Sequence, residues 1–211
     1  MAIEAGGKIL REGSAAKRAD ILAAARDLFR IEGFDRTSVD AISARAGVSK
    51  RTVYDYFGDK QALLIAVIDG LGESLMAAIR AAIDDDLTEF DDLEDALVSF
   101  STRIVSSTMG SSDYATLIQL VTKEVQQLPG ATIDDWFDTA PEDAIAERFV
   151  EFGRRGLLEV PNPRLAADHF VALAFLGVTN GAKSSQPLDE AAARQSVLDG
   201  VRAFLRAYAP R

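Results

Sequence analysis

Apolar residues along this chain recur every three or four positions rather than alternately, and glycine and proline cut the pattern into segments of helix length. The spacing predicts an all-helical protein. A first helix over residues 16–31 carries Ile21, Ala24, Ala25, Leu28 and Phe29 on one stripe and stops at Gly33, a residue suited to left-handed termination. Thr37 and Asp40 are placed as a capping box for a short helix whose buried face is Val39, Ile42 and Ala46. Gly47 turns the chain, and Ser49 caps a second short helix over 50–57 in which Val53 and Phe57 point inward. Two short helices around a tight turn make a helix-turn-helix layout.

Asp59 caps a long helix running to about residue 84, with Leu64, Val67, Ile68, Leu71, Leu75, Ile79 and Ile83 on its stripe. Further helices are expected over 91–109, 112–127, 142–155, 164–184 and 189–208, with breaks near Pro129, Pro141, Pro161, Pro163 and Pro187. The 164–184 helix leaves little polar face, so it needs cover on more than one side, and a second copy of the chain is the natural cover. Phe170 and Leu173 on that helix, with Val201, Phe204 and Leu205 on the last one, are the expected dimer contacts. Residues 1–15 are expected to be a flexible tail, 16–60 a helix-turn-helix domain, and 61–211 a second helical domain that carries the dimer contacts.

Residues 17–68, KRADILAAARDLFRIEGFDRTSVDAISARAGVSKRTVYDYFGDKQALLIAVI, resemble the tetracycline-repressor (TetR) family of transcription factors. The resemblance rests on the helix ending at Gly33-Phe34, the entry Thr37-Ser38-Val39, the turn Gly47-Val48-Ser49, the exit Tyr54-x-Tyr56-Phe57, and Lys60. It covers about a quarter of the chain. It implies an all-α fold, a three-helix helix-turn-helix domain followed by a helical bundle, and a homodimer on a palindromic double-stranded DNA operator. The helix opening after Ser49 then enters the major groove, and Thr37 or Ser38, Tyr54, Tyr56 and Lys60 touch the DNA backbone. Arg51 has the chemistry to read guanine bidentately, Thr52 to meet a base edge or thymine methyl, and Lys50 to serve base or phosphate. Asp55, four residues after Arg51, offers a competing ion pair.

Composition sharpens this reading. The chain of 211 residues has a net charge of −10, yet residues 1–60 carry 11 Lys/Arg against 9 Asp/Glu while the remainder carries 12 against 24. A slightly basic head on an acidic body fits two surfaces with different partners, because phosphate binding needs only a local positive patch. The absence of cysteine removes disulfides, thiolate metal sites and cysteine nucleophiles, and fits a reducing cytoplasm. Apolar runs such as 170–178 fall short of the roughly 20 residues that span a bilayer. No membrane partner, secretory signal, metal, cofactor or catalytic residue is expected.

Phe100, Tyr114, Trp136, Phe137, Phe149 and Phe152 occur where members of the family enclose a small-molecule pocket, so the resemblance implies an effector, expected to be small and largely apolar. Trp136 and Phe137 lie between Pro129 and Pro141, as a lid or a cover for the core. His169, the one histidine, is read first as structural and second as a pocket or interface residue. The competing functional reading is a protein of the same fold without an effector, controlled by a protein partner or acting in chromosome organisation. A helical-bundle enzyme is a third, disfavoured because no nucleophile–base pair or phosphate loop is present.

Overall fold

The computed structural model describes residues 3–123, 141–182 and 190–210. Among the described residues there are nine α-helices and no strand: α1 (Ile3–Glu32), α2 (Val39–Arg45), α3 (Lys50–Phe57), α4 (Lys60–Leu87), α5 (Leu93–Arg103), α6 (Ser112–Lys123), α7 (Pro141–Arg154), α8 (Pro163–Ala182) and α9 (Glu190–Tyr208). A π-helical segment, Ile104–Met109, continues α5. The chain divides into two compact units, Met1–Glu73 with Ala115–Trp136, and Ser74–Tyr114 with Phe137–Arg211.

In the first unit the local signals act as the sequence predicts, with two changes. Ile21, Ala24, Ala25, Leu28 and Phe29 are buried, and Gly33 ends α1 at φ 84° with its N–H bonded to the Phe29 carbonyl at 3.0 Å. The start of α1 lies at Ile3 rather than near residue 16. Extending an existing helix adds one bond for each residue ordered, which lets Ala, Glu, Lys, Leu and Arg outweigh Gly6, Gly7 and Gly13. The second change is at α2, whose cap is Ser38 and not Thr37. Ser38 Oγ accepts from the Ala41 N–H at 3.1 Å, while Thr37 Oγ1 donates back to the Gly33 carbonyl at 2.8 Å and is buried. Ser49 caps α3 through the Thr52 N–H at 3.0 Å, Gly58 closes it at φ 80°, and Asp59 Oδ1 caps α4 through the Ala62 N–H at 2.7 Å.

By length and composition α4, at 28 residues, is apolar enough to cross a membrane, which the inspection of uninterrupted apolar runs missed. Its two faces differ, however. Leu63, Leu64, Val67, Ile68, Leu71, Ile79, Ile83 and Leu87 are buried in the protein, whereas Asp69, Glu73, Arg80 and Asp84 face outward. It is a core helix.

The second unit is built on stacked phenylalanines. The Phe149 ring lies 5.2 Å from Phe204, 5.5 Å from Phe170 and 6.0 Å from Phe152, and Phe100 stacks on Phe170 at 6.3 Å. Such offset and edge contacts add to the large apolar area these rings remove from water. Helices α8 and α9 approach closely at Gly200, where a side chain would collide with the Leu173 carbonyl oxygen. Phe170, Val201 and Phe204, expected as dimer contacts, are fully buried inside the chain. Among the described side chains of α8 the large apolar residues that are exposed are Leu165, Leu173 and Leu176, at 46%, 42% and 57% exposure. Leu205 is half-buried.

The helix expected over 91–109 changes character at residue 104. Ser106 and Ser107 both donate to the Arg103 carbonyl, at 3.4 and 2.5 Å, and the Gly110 N–H reaches five residues back to Val105 at 3.0 Å. Hydroxyls bonding back to a helix carbonyl compete with the backbone ladder and widen the turn. Ion pairs tie this region together. Arg103 grips Asp86 at 2.7 and 2.8 Å, and Arg202 meets Glu94 at 2.8 Å.

Candidate nucleic-acid interface

Helix α3 buries Val53 and turns Lys50, Arg51, Tyr54 and Asp55 outward. Its N-terminus is closed by a side-chain cap, with Ser49 Oγ 2.8 Å from Thr52 Oγ1. Both hydroxyls therefore already have partners, and Thr52 is half-buried.

The three cations of the site are held differently. The Arg51 guanidinium is 90% exposed and only 3.8 Å from Asp55, a loose pair that solvent screens. Lys50 Nζ donates to Asp40 Oδ2 on α2 at 3.0 Å, and that hydrogen bond holds its ammonium above the ordinary lysine pKa. Lys60 Nζ sits 4.2 Å over the Phe34 ring and donates to the Asp35 carbonyl at 3.4 Å. Arg51 is the least constrained of the three.

The remaining expected contacts divide. Ser38 and Tyr54 are exposed. Tyr56 is half-buried, with its hydroxyl 2.8 Å from Ser14 Oγ on the early part of α1, and Arg18 lies 5.4 Å over Phe57 beside it. Thr37, buried and bonded to Gly33, has no hydroxyl to offer a phosphate. Sequence reasoning found the Arg51–Asp55 pairing from its spacing but missed Asp40 and Ser14. These lie 10 and 42 residues from their partners, where no helical period points to them.

The expected pocket residues that are described sit in different environments. Phe100 and Phe149 are core residues in ring contact with Phe170. Tyr114 is half-buried, and burial pushes its phenol pKa up. Trp136 and Phe137 lie outside the described residues. His169 is exposed on α8, with Nδ1 2.7 Å from the Tyr208 hydroxyl. Among the described residues no cluster of three or more His, Cys, Asp or Glu is arranged to hold a metal.

Comparison with known proteins bears on both units. Residues 21–67 match the family profile described as bacterial regulatory proteins, tetR family, and residues 95–210 match that of the AefR-like transcriptional repressor, C-terminal domain. The transcriptional activator FasR of Mycolicibacterium smegmatis is 26% identical over 193 residues, spanning 89% of this chain and 80% of FasR. A TetR-family transcriptional regulator from Mesorhizobium loti has a similar structure, with a TM-score of 0.84 at 26% identity over 93% of this chain and 98% of its own. The flavonoid-responsive regulator FrrA is similar at a TM-score of 0.68 and 28% identity, over 92% of this chain and 98% of its own.

Proposed function

The chain belongs to the tetracycline-repressor family of bacterial regulatory proteins, DNA-binding transcription regulators that are not enzymes, and from that premise we propose that it acts as a cytoplasmic homodimeric repressor released from a palindromic operator by a small molecule. The observation that carries the operator reading is the outward face of α3, where Arg51 is nearly free and Tyr54 is exposed beside it. A short helix presenting such groups docks in a major groove, while neighbouring groups on the phosphates set its register. Arg51 reads a guanine by its two-pronged fork; leaving Asp55 costs little because that pair is solvated. Ser38, Ser49, Lys50, Thr52, Tyr54, Tyr56 and Lys60 position the helix, with Lys50 drawn from Asp40 toward phosphate as DNA approaches. Thr37 serves from behind by holding the turn after Gly33.

Two copies are needed because one head sees half of a palindrome. The exposed strip Leu165, Leu173 and Leu176 on α8, at spacings that keep one helical face, supports pairing there rather than through the buried Phe170, Val201 and Phe204. The repressor direction draws on the description of the matched C-terminal profile; FasR carries the name of an activator. Effector control draws on FrrA, named for its response to flavonoids, and on α4, one continuous helix from Lys60 to Leu87. A ligand that tilts α4 misaligns the two heads, whose targets are about 34–36 Å apart or a multiple of the helical turn. A tenfold loss of DNA affinity takes about 1.4 kcal/mol of coupling, and DNA must weaken ligand binding by the same factor.

Selection from random duplexes tests the operator reading directly. An enriched palindrome is expected, bound by two chains. Arg51→Ala should then lose about 1–3 kcal/mol of discrimination at one base position in each half-site, whereas Lys60→Ala should weaken all duplexes alike and lower the salt slope by about one. Equal weakening of selected and random duplexes by Arg51→Ala would remove the base-reading role.

A further inference from the structure

The end of α5, the π-helical segment after it and the start of α9 line an open cleft of about 410 Å³. We propose that this cleft binds a monoanionic acid with a compact apolar body, its carboxylate held by Arg194. The inference deepens the effector reading and rests on it for its consequence on DNA. Val105, Ala193 and Val197 supply an aliphatic floor, while Thr102, Ser106, Glu190 and Arg194 supply the polar groups. That mixture, in a volume of a few hundred Å³, is the usual make-up of a small-molecule site. With about 30 Å³ as the share of one water molecule, the cleft admits on the order of a dozen heavy atoms.

Four features set the ligand class. Arg194 makes no ion pair or hydrogen bond among the described residues, although Glu190 stands at the i,i+4 spacing that commonly forms one, so its guanidinium is available to a carboxylate. Glu190 opens α9, where the helix end favours its negative charge, and a second anionic group on the ligand would be repelled there. Thr102 Oγ1 is buried without a partner, an uncompensated state for a hydroxyl. A helical threonine has two accessible rotamers, and changing between them exchanges the methyl for the hydroxyl toward a bound molecule. The wall at Gly110 is bare backbone: a Cβ there would lie 2.7 Å from the Ser106 carbonyl oxygen, so the π turn and the glycine are required together. Single π turns inside α-helices recur at functional sites.

Calorimetric titration of the full chain with 2-naphthoate, and with 2-naphthamide as its neutral isostere, tests the proposal. The acid is expected to bind at least tenfold more tightly than the amide. Arg194→Gln should abolish that preference, and Ser106→Phe, at an exposed position, should block both; thermal melts establish that the variants fold. Absence of naphthoate binding, equal affinity for acid and amide, or naphthoate binding unchanged by Arg194→Gln overturns the proposal. Fluorescence anisotropy on the selected operator separates the two readings. Arg194-dependent naphthoate binding that leaves operator affinity unchanged supports the cleft and removes its effector role. Operator release by naphthoate that persists in both variants supports effector control and overturns this cleft as its site.

Discussion

Replacing Gly200 by alanine sets two effects of opposite sign against each other. In the interior of a helix, alanine is favoured over glycine by about 0.5–1 kcal/mol, because the glycine backbone loses more freedom on folding. At residue 200 of α9, however, a Cβ would collide with the Leu173 carbonyl oxygen and lie 2.6 Å from the Leu173 carbonyl carbon and 2.9 Å from Ala174 Cα. Comfortable separations are about 3.5–4.0 Å, and all three neighbours are backbone, so no side chain can swing away. Helices α8 and α9 must therefore part by roughly 1 Å, loosening the contacts of Phe170, Ala174, Val197, Val201 and Phe204. Overpacking of this kind costs about 1–3 kcal/mol, and rigid neighbours place it at the upper end. After the helix-propensity gain the net loss is about 2 kcal/mol, which for a chain of this size lowers the melting temperature by roughly 4–8 °C. Gly72 on α4 is the control, since a Cβ there meets nothing within 4 Å. Gly72→Ala should raise stability by about 0.5–1 kcal/mol. Thermal and urea unfolding followed by circular dichroism, at one fixed protein concentration because an oligomer's melting depends on it, provides the comparison. A Gly200→Ala protein that melts at or above the parent temperature would refute the close approach of the two helices.

Thr37→Val should lower stability by about 1 kcal/mol through loss of the hydroxyl bond to Gly33, while the salt slope of DNA binding stays unchanged because that hydroxyl faces inward. Asp40→Asn should free Lys50 and raise affinity for random duplex DNA, with a steeper salt dependence in anisotropy titrations. Leu176→Glu should shift the sedimentation profile toward monomer with helix content intact. By contrast, Phe204→Ala should cost about 3–5 kcal/mol by leaving a cavity among the stacked rings.

What the chain's sequence determined by itself was the set of features decided within one turn of backbone. Ser49 reaches Thr52, Asp59 reaches Ala62, and Gly33 and Gly58 adopt the positive φ that ends a helix, all within three or four residues. Such contacts form whatever the rest of the chain does, which is why the helix-turn-helix layout and the family resemblance were legible. Thr37 shows the limit even there. Two adjacent hydroxyls compete for cap and back-bond, and burial of Thr37 decides which takes each part.

The tertiary structure decided which face of an apolar helix turns inward. Along α8 nearly every position is apolar, so periodicity could not separate Phe170 from Leu173; packing against α7 and α9 buries the first and leaves the second exposed. The Lys50–Asp40 pair, the Ser14–Tyr56 bond and the cleft by Arg194 likewise depend on which elements meet. Hydrophobic burial is non-directional, rewarding apolar area removed from water without naming the partner. The partner is chosen by close packing, as where Gly200 admits the backbone of Leu173, and the residues concerned are far apart in the chain.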